Sequence, residues 1–300
     1  MVPVRADTVP TLWGIEEDQG LLFSLTDYTT LSGLTIFSPL LFPDGSAIGR
    51  DIEAFDIRSD GVAFMALNSD RSGLGNPVLL SFDITTASIT GQNVVTVIGQ
   101  LDDADLVTGL SFDPSGALYA LNRKGGDGTV DELWSVDQAT GDRASPITPL
   151  VGMGEDVGSG EDIEFLPDGR LFVTDDDDDH LYQVHPVTGG ILAISDSQQN
   201  GGLGVSSVKF EGLAWDPVRT TLVGTDDNTN LFAELTFGDG ANLLLGSLSE
   251  LTDVEGIDFF DEPPDAQFPE PSAGCLLVLG LLSAAGYGYQ TSSRRRKPPE

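Results

Sequence analysis

The chain of 300 residues carries 14 basic and 48 acidic side chains, which gives a formal net charge of −34 at pH 7. A surface this acidic repels nucleic acids and anionic membranes, so nucleic-acid binding is excluded and cations such as calcium are attracted. Because 40% of the residues are hydrophobic and occur in periodic runs, the chain is not disordered. The single cysteine, Cys275, lies near the C-terminus, which excludes disulfides, thiolate metal sites and a cysteine nucleophile from the body of the chain.

The N-terminal residues 1–7 lack the apolar core that a secretory signal peptide requires. For an exported protein we would then expect the true start to lie upstream or the leader to have been lost. The body of the chain contains a repeat of short strands. Residues 12–17 and 21–25 match the second and third strands of this repeat, and the residues given before them do not match its first strand.

A repeat of roughly 40–50 residues runs through the body of the chain. Its first element has apolar residues at the third and fifth places, which predicts a strand with one buried face. A turn containing Pro, Asp or Gly follows, as at 113–116, and further short strands complete the unit. The first elements start at Glu53, Thr108, Glu161, Glu211 and Glu255.

Four antiparallel strands per repeat are typical of a β-propeller blade. Four copies are internal and the fifth is split, because residues 255–260 form a first strand with nothing after it. Pairing that strand with the N-terminal strands closes a ring and removes its open edges. We therefore predict an all-β fold, a five-bladed propeller over residues 1–262, least regular at 27–50. An open β-solenoid, which needs no split repeat, and a large β-sandwich are the alternatives.

The first strand of each blade lines the central channel of a propeller, so the repeat-start residues would surround its mouth. Four of these five residues are carboxylates, namely Glu53, Glu161, Glu211 and Glu255, and Thr108 interrupts the ring. Crowded carboxylates need a cation unless they are protonated, and calcium prefers such oxygen ligands. The pattern predicts a calcium site at the channel mouth. The alternative is that these glutamates cap strands or accept hydrogen bonds from loop amides.

Weaker metal candidates lie in the loops between second and third strands, which open on the same face: Asp175, Asp176 and Asp226. The aspartate run at 175–179 does not fit an EF-hand loop, which needs Gly at its sixth place and Glu at its twelfth. We interpret the run as a solvated loop.

Catalytic chemistry has little support in the sequence. His180 lies in the acidic hairpin, and His185 takes a turn position that Asp137 holds in the preceding repeat. The chain contains neither a Gly-x-Ser-x-Gly elbow nor a Gly-Lys-Ser/Thr phosphate loop. A binding or scaffold protein is therefore the leading hypothesis. The alternative is a calcium-dependent hydrolase of phosphoesters, esters or lactones at the channel mouth, although basic residues that could hold phosphate are scarce.

Residues 210–214 (Phe-Glu-Gly-Leu-Ala) and 253–257 (Asp-Val-Glu-Gly-Ile) carry a family resemblance. They resemble strand starts of the SdiA-regulated proteins and of the phytase- and esterase-like extracellular β-propellers. The resemblance implies a secreted propeller that can bind calcium. Thr108 departs from the pattern.

The C-terminal residues fall into three parts. A Pro-rich linker at 263–272 contains the triplet Pro269, Glu270 and Pro271, an uncharged apolar run occupies 273–290, and a basic tail at 291–300 includes Arg294, Arg295 and Arg296. About 17 apolar residues at about 1.5 Å each reach roughly 26 Å, near the lower limit for a bilayer. The run is predicted to be a transmembrane helix with its basic tail in the cytoplasm.

These three parts in this order resemble the PEP-CTERM sorting signal of exported bacterial proteins. The resemblance implies transient anchoring in the inner membrane, cleavage near the triplet by an exosortase, and delivery to the cell envelope or an extracellular polysaccharide matrix. An extracellular glycan or protein is then the expected partner. A permanent C-terminal membrane anchor is the alternative.

Overall fold

The computed structural model describes residues 10–49, 51–68, 76–101, 103–124, 129–175, 180–195, 209–226, 229–237 and 242–260. These residues belong to one compact unit, Met1–Asp261, whereas the second unit, Glu262–Glu300, lies outside the described residues. The predicted linker, transmembrane helix, basic tail and sorting triplet therefore lie there too. Across the described ranges no helix is long and apolar enough to cross a membrane, and a single 3-10 turn, Ile84–Thr86, is the only helical element.

Five four-stranded antiparallel sheets form the blades of a propeller, and the strands of each blade follow one another from the channel outward. Blade 1 combines β24 (Val254–Phe260), its innermost strand, with β1 (Thr11–Glu16), β2 (Leu21–Asp27) and β3 (Ser32–Ile36). Blade 2 contains β5 (Ile52–Ile57), β6 (Val62–Leu67), β7 (Val78–Asp83) and β9 (Thr96–Gln100). Blade 3 contains β10 (Leu106–Phe112), β11 (Leu118–Arg123), β12 (Glu132–Val136) and β13 (Thr148–Pro149).

Blade 4 contains β16 (Gly160–Phe165), β17 (Leu171–Asp175), β18 (His180–Val184) and β19 (Ile191–Ser195). Blade 5 contains β20 (Phe210–Asp216), β21 (Thr221–Asp226), β22 (Leu231–Leu235) and β23 (Leu243–Ser247). Two short pairs lie outside the blades. β4 (Leu40–Leu41), within the segment 27–50 that was predicted to be least regular, runs parallel to β8 (Asn93–Val94). β14 (Val151–Gly152) forms a hairpin with β15 (Glu155–Asp156).

The split blade closes the ring as predicted. Strand β24 pairs antiparallel with β1, in a register that places Phe260 opposite Thr11 and Asp258 opposite Trp13. The innermost strand of every blade also contacts those of the two neighbouring blades. Closure pairs the last inner strand, which would otherwise present free backbone groups to solvent.

The core consists of five apolar clusters, one at each interface between adjacent blades. Strand periodicity of two produces this division, because successive side chains point to opposite faces of a blade. In β17, Leu171 and Val173 pack in the cluster shared with blade 3, whereas Phe172 packs in the cluster shared with blade 5. Each such buried side chain contributes about 1.5–3 kcal/mol, so the blades are held together by apolar packing across their faces.

Candidate functional site

Every inner strand contains a β-bulge at its repeat-start residue. The pairing register shifts around Glu53 in β5, Thr108 in β10 and Glu211 in β20, and similar shifts span Glu161 in β16 and Glu255 in β24. A bulge leaves one residue outside the ladder and re-aims its side chain. The repeat therefore turns these five side chains away from the regular sheet pattern at the same end of the channel.

Five carboxylates meet at this end of the channel, and we call them the acidic mouth: Glu17, Asp51, Glu53, Asp253 and Glu255. They form two triads that share Glu17, one with Asp51 and Glu53 and one with Asp253 and Glu255. In each triad the carboxylate oxygens lie within 4.8 Å of one another. These groups could hold a metal ion, because the oxygens are close enough to coordinate one centre.

The loop after β1 fixes Glu17 between blades 1 and 2. Its backbone N–H donates to the carbonyl of Asp253 at 2.9 Å, and its Oε1 accepts the backbone N–H of Asp51 at 2.9 Å. Asp51 is buried and has a φ of 70°, a left-handed conformation that is uncommon outside glycine. The backbone thus holds the residue at a modest cost in strain, as at many functional sites.

Repulsion within the acidic mouth perturbs its titration. Burial raises the pKa of Glu17 to about 8, with further contributions from Asp253, Asp51 and Glu53. Burial also raises the pKa of Glu255 well above its ordinary value, and the charge of Glu211 adds most to that effect among its neighbours. The carboxylates are thus close enough that full ionisation is unfavourable without a compensating charge.

The structure brings together most of the predicted ring. Glu53 and Glu255 are members of the acidic mouth, and Glu211 is near enough to raise the pKa of Glu255. Glu161 is in neither triad, and its Oε1 lies 2.5 Å from Nη1 of Arg123. The hydroxyl of Thr108 donates to the carbonyl of Gly160 at 2.8 Å. Blades 3 and 4 therefore satisfy their repeat-start side chains by local partners.

Three members of the acidic mouth were not among the predicted ligands: Glu17, Asp51 and Asp253. A signal for two of them was present, because Asp51 and Asp253 each stand two residues before a repeat-start glutamate, in Asp-Ile-Glu and Asp-Val-Glu. No repeat pattern singles out Glu17 from Glu16 and Asp18 beside it. Its place in the site depends on how the loop after β1 crosses to blade 2.

The weaker loop candidates have hydrogen bonds that organise their loops. Asp175 accepts the backbone N–H groups of Gly158 and Ser159 at 3.2 and 3.1 Å. Asp226 accepts those of Lys209 and Thr229 at 2.9 and 2.8 Å. In both cases the last residue of the second strand ties down the segment that enters the first strand. Asp176 lies outside the described residues.

A second set of polar residues, which we call the inner belt, lies three residues further along four inner strands: Asp56, Ser111, Glu164 and Asp258. Each accepts a hydrogen bond from the backbone of the following blade. Asp258 accepts from Ile57 N at 2.9 Å, Asp56 from Phe112 N at 2.5 Å, Ser111 from Phe165 N at 3.0 Å and Glu164 from Trp215 N at 3.1 Å. Blade 5 has Ala214 at this place. The inner belt therefore links four of the five blade junctions.

The carboxylates of the inner belt are almost completely buried and border a pocket of about 340 Å³ at the end of the channel opposite the acidic mouth. Burial raises the pKa of Asp56 well above its ordinary value, and the charge of Asp258 raises it further. The pKa values of Glu164 and Asp258 are raised as well, chiefly by burial. The carboxyl groups of the belt therefore keep their protons to a higher pH than exposed acids do.

Neither histidine forms a catalytic triad with the groups described. His180 Nδ1 lies 3.1 Å from the hydroxyl of Tyr182, and the ring of His185 accepts the backbone N–H of Val187 at 3.2 Å. The first contact is a local strand neighbour and the second lies within a turn.

No family model matches the chain, and no curated protein matches it. Solved structures do. A chain of a nidogen/laminin complex is 15% identical, with 83% of this chain and 98% of that chain covered and a TM-score of 0.49. A protein of unknown function from Bacteroides caccae is 8% identical, with coverages of 84% and 99% and a TM-score of 0.47. Virginiamycin B lyase from Staphylococcus aureus is 14% identical, with coverages of 80% and 70% and a TM-score of 0.42. At these values the likeness concerns the fold and carries no argument about function.

Proposed function

We propose that this chain is an exported binding or scaffold propeller whose acidic mouth holds a divalent cation, with calcium as the preferred ion. The observation that carries the proposal is the convergence of two carboxylate triads on Glu17. Residues from both ends of the chain contribute, since Glu17 follows β1 while Asp253 and Glu255 belong to the approach to β24 and to β24 itself. A cation there would also link blade 1 to blade 2.

The donor set supports calcium over magnesium. All five groups are carboxylates, and calcium accepts six to eight oxygens at variable angles, whereas magnesium demands a near-ideal octahedron and keeps several waters. The triads combine residues of a loop and of two bulged strands. This arrangement does not impose octahedral angles on the carboxylate oxygens around a bound ion. One ion that uses Glu17 together with members of both triads agrees with the effect of Glu53 and Asp253 on the pKa values of both Glu17 and Glu255.

Calorimetric titration of the full chain with calcium tests the proposal, with magnesium as the comparison ion. We expect saturable binding of a single calcium, weaker binding of magnesium, and a higher melting temperature with calcium. A cation present at 100 times its dissociation constant should add about 2.7 kcal/mol to the free energy of unfolding.

Glu17→Gln is the sharpest variant, because it removes a charge from both triads at once. It should abolish the calcium-dependent rise in melting temperature. Glu155→Gln is the matched control, since Glu155 is exposed on β15 and belongs to neither triad. Equal calcium binding by wild type and Glu17→Gln would refute the site. Calcium-dependent hydrolysis of a phosphoester or lactone that Glu17→Gln removes would replace the scaffold role with the hydrolase.

The exported location is proposed from the order of the triplet at 269–271, the apolar run at 273–290 and the basic tail. Exosortase is the expected processing partner, and the envelope or matrix is the expected destination. Expression with and without an exosortase, followed by mass spectrometry of the C-terminus, tests this. Cleavage near Pro269 only when the enzyme is present supports sorting, whereas an intact C-terminus in both strains supports a permanent anchor.

A further inference from the structure

A separate pocket of about 390 Å³ lies between blades 4 and 5. Trp215 lines it at the end of β20, whereas Glu211 starts the same strand, so this pocket is at the opposite end of the inner strands from the acidic mouth. Aromatic and leucine side chains line it together with arginines and threonines. The rings of Phe172 and Phe237 pack edge to face at 5.1 Å, and Trp215 and Phe237 are only partly buried. A pocket of this size that combines aromatic rings with a few polar groups is typical of a small-molecule site.

The two turns at the rim of this pocket depart from the internal repeat. Blades 2, 3 and 4 join their first two strands by three-residue turns that end in glycine with φ between 84° and 86°, at Gly61, Gly116 and Gly169. The turn of blade 5 has four residues, 217–220, between the paired Asp216 and Thr221. The insertion adds an arginine, Arg219, to the pocket rim.

The longer turn also retains backbone strain. Thr220 has a φ of 55°, in the left-handed region that the sister blades fill with glycine. A β-branched residue in that conformation is an outlier and costs about 1–2 kcal/mol. Strain of this kind that persists at the edge of a pocket points to a functional constraint on the turn.

Charge distinguishes the pocket from the rest of the acidic surface. Two of its lining residues, Arg170 and Arg219, belong to the seven basic residues that the structure describes: Arg58, Arg123, Lys124, Arg143, Arg170, Lys209 and Arg219. In blades 2 and 3 the position of Arg170 is occupied by Val62 and Ala117. Arg170 therefore stands where blades 2, 3 and 5 have an uncharged residue, which is Thr221 in blade 5, and Arg219 lies in the longer turn of blade 5.

Each rim arginine forms an ion pair with one acidic residue and has further N–H groups that could donate to a ligand. Nε of Arg170 lies 2.9 Å from Asp168, and Nη2 of Arg219 lies 2.5 Å from Glu234. The other guanidinium nitrogens of both residues have no hydrogen-bond partner among the described residues, and both side chains are close to half exposed. A guanidinium offers up to five N–H donors in a fork that fits a carboxylate.

We propose that this pocket binds a small aromatic carboxylate, with its ring against Trp215 and Phe237 and its carboxylate at Arg170 and Arg219. Aromatic walls favour a planar ring through offset or edge-to-face packing. The two arginines attract an anion, whereas the net negative charge of the protein repels it. Because these two effects oppose each other, we expect the pocket to select anions that also gain binding energy from an apolar body. The site is independent of the cation at the acidic mouth.

Calorimetry and saturation-transfer NMR on the full chain test the proposal with 1-naphthylacetate as the probe. Two comparison compounds separate its parts: 1-naphthylacetamide keeps the ring without the charge, and glucuronate keeps the charge without the ring. We expect 1-naphthylacetate to bind at least about tenfold more tightly than either, because a hydrogen bond to a charged group and aromatic burial each contribute on that scale.

Arg170→Gln and Arg219→Gln should each weaken 1-naphthylacetate binding by about tenfold. Arg143→Gln is the matched control, since Arg143 is also a partly exposed arginine paired with an aspartate, Asp103 at 3.2 Å, but lies outside this pocket. Because both rim arginines are close to half exposed, all three variants should melt near the wild-type temperature. Equal binding of the amide, tighter binding of glucuronate, no binding at millimolar probe, or an equal loss in Arg143→Gln would each overturn the proposal.

Discussion

Asp56→Asn should make the protein less sensitive to rising pH, because Asp56 holds a proton in the folded state. Burial and the neighbouring charge of Asp258 raise the pKa of Asp56 well above its ordinary value. The carboxyl of Asp56 is 5% exposed by residue and faces both Ile57 N and Phe112 N. An asparagine has the same shape, can donate to Asp258 through its amide and can accept through its carbonyl.

Thermodynamic linkage between proton binding and folding gives the sign and the size of this difference in pH dependence. An aspartate in the unfolded chain loses its proton above about pH 3.9. Folded Asp56 keeps its proton to a higher pH, so the folded state binds more protons and stability falls as pH rises through this window. Each retained proton lowers the free energy of unfolding by about 1.4 kcal/mol per pH unit. Between pH 5 and pH 7, Asp56→Asn should therefore become more stable relative to wild type, by at most about 3 kcal/mol.

Urea unfolding of wild type and Asp56→Asn at pH 5, 6 and 7 measures this difference. The raised pKa values of Glu164 and of the acidic mouth affect both proteins, so they cancel to first order in the comparison. Asp60→Asn is the control. The pKa of Asp60 is lowered, chiefly by its hydrogen bond with Arg58, so Asp60 is ionised in both states across this range and its variant should show no such trend.

A constant difference between Asp56→Asn and wild type from pH 5 to pH 7 would refute the reasoning, because it would mean that Asp56 is ionised when folded. The carbon-13 shift of the Asp56 carboxyl in wild type provides an independent check. It should report a protonated acid at a pH at which an exposed aspartate is already ionised. An ionised signal there would contradict the inner belt as a proton-holding structure even if the unfolding data were ambiguous.

Two further substitutions test the packing of blade 5. Thr220→Gly should raise the free energy of unfolding by about 1 kcal/mol, because glycine adopts the left-handed conformation without strain. Thr221→Gly, in the adjoining strand, is the control and should lower the free energy of unfolding. A lower free energy of unfolding in both variants would refute the strain at Thr220. Tyr28→Phe should cost about 1–3 kcal/mol, because the hydroxyl of Tyr28 donates to buried Asp216 at 2.5 Å. Urea unfolding measures it against Tyr119→Phe, and equal losses would show that the hydroxyl bond contributes little.

Much of the fold could be predicted because its signals are local. The apolar run at 171–173 and the turn at 113–116 are patterns of residues only a few positions apart, and the structure has a strand and a turn at these places. The split repeat required closure, since an inner strand alone at one end of the chain and a blade without its inner strand at the other would leave open edges. The pairing of β24 with β1 confirms that inference.

The candidate site could be predicted only in part, and Glu161 shows why. Glu161 and Glu53 occupy the same place in the repeat, and both lie at β-bulges. Arg123, from the end of the second strand of blade 3, lies against Glu161, whereas Glu53 lies against Glu17 and Asp51. A repeat pattern reveals only the residues that recur in every blade. The partners of Glu161 and Glu53 differ from blade to blade, so the pattern could not reveal them.

The sequence by itself determined the period-two strands, the turn positions, the number of blades and the acidic ends of the inner strands. Only the tertiary structure decided which carboxylates meet and which backbone groups they bind. Asp258 accepts a hydrogen bond from Ile57, 201 residues away in the chain, and Glu17 donates to Asp253 where the two ends of the chain close the ring. The physical reason is that side-chain direction follows from neighbouring residues, whereas proximity across a channel follows from closing all five blades at once.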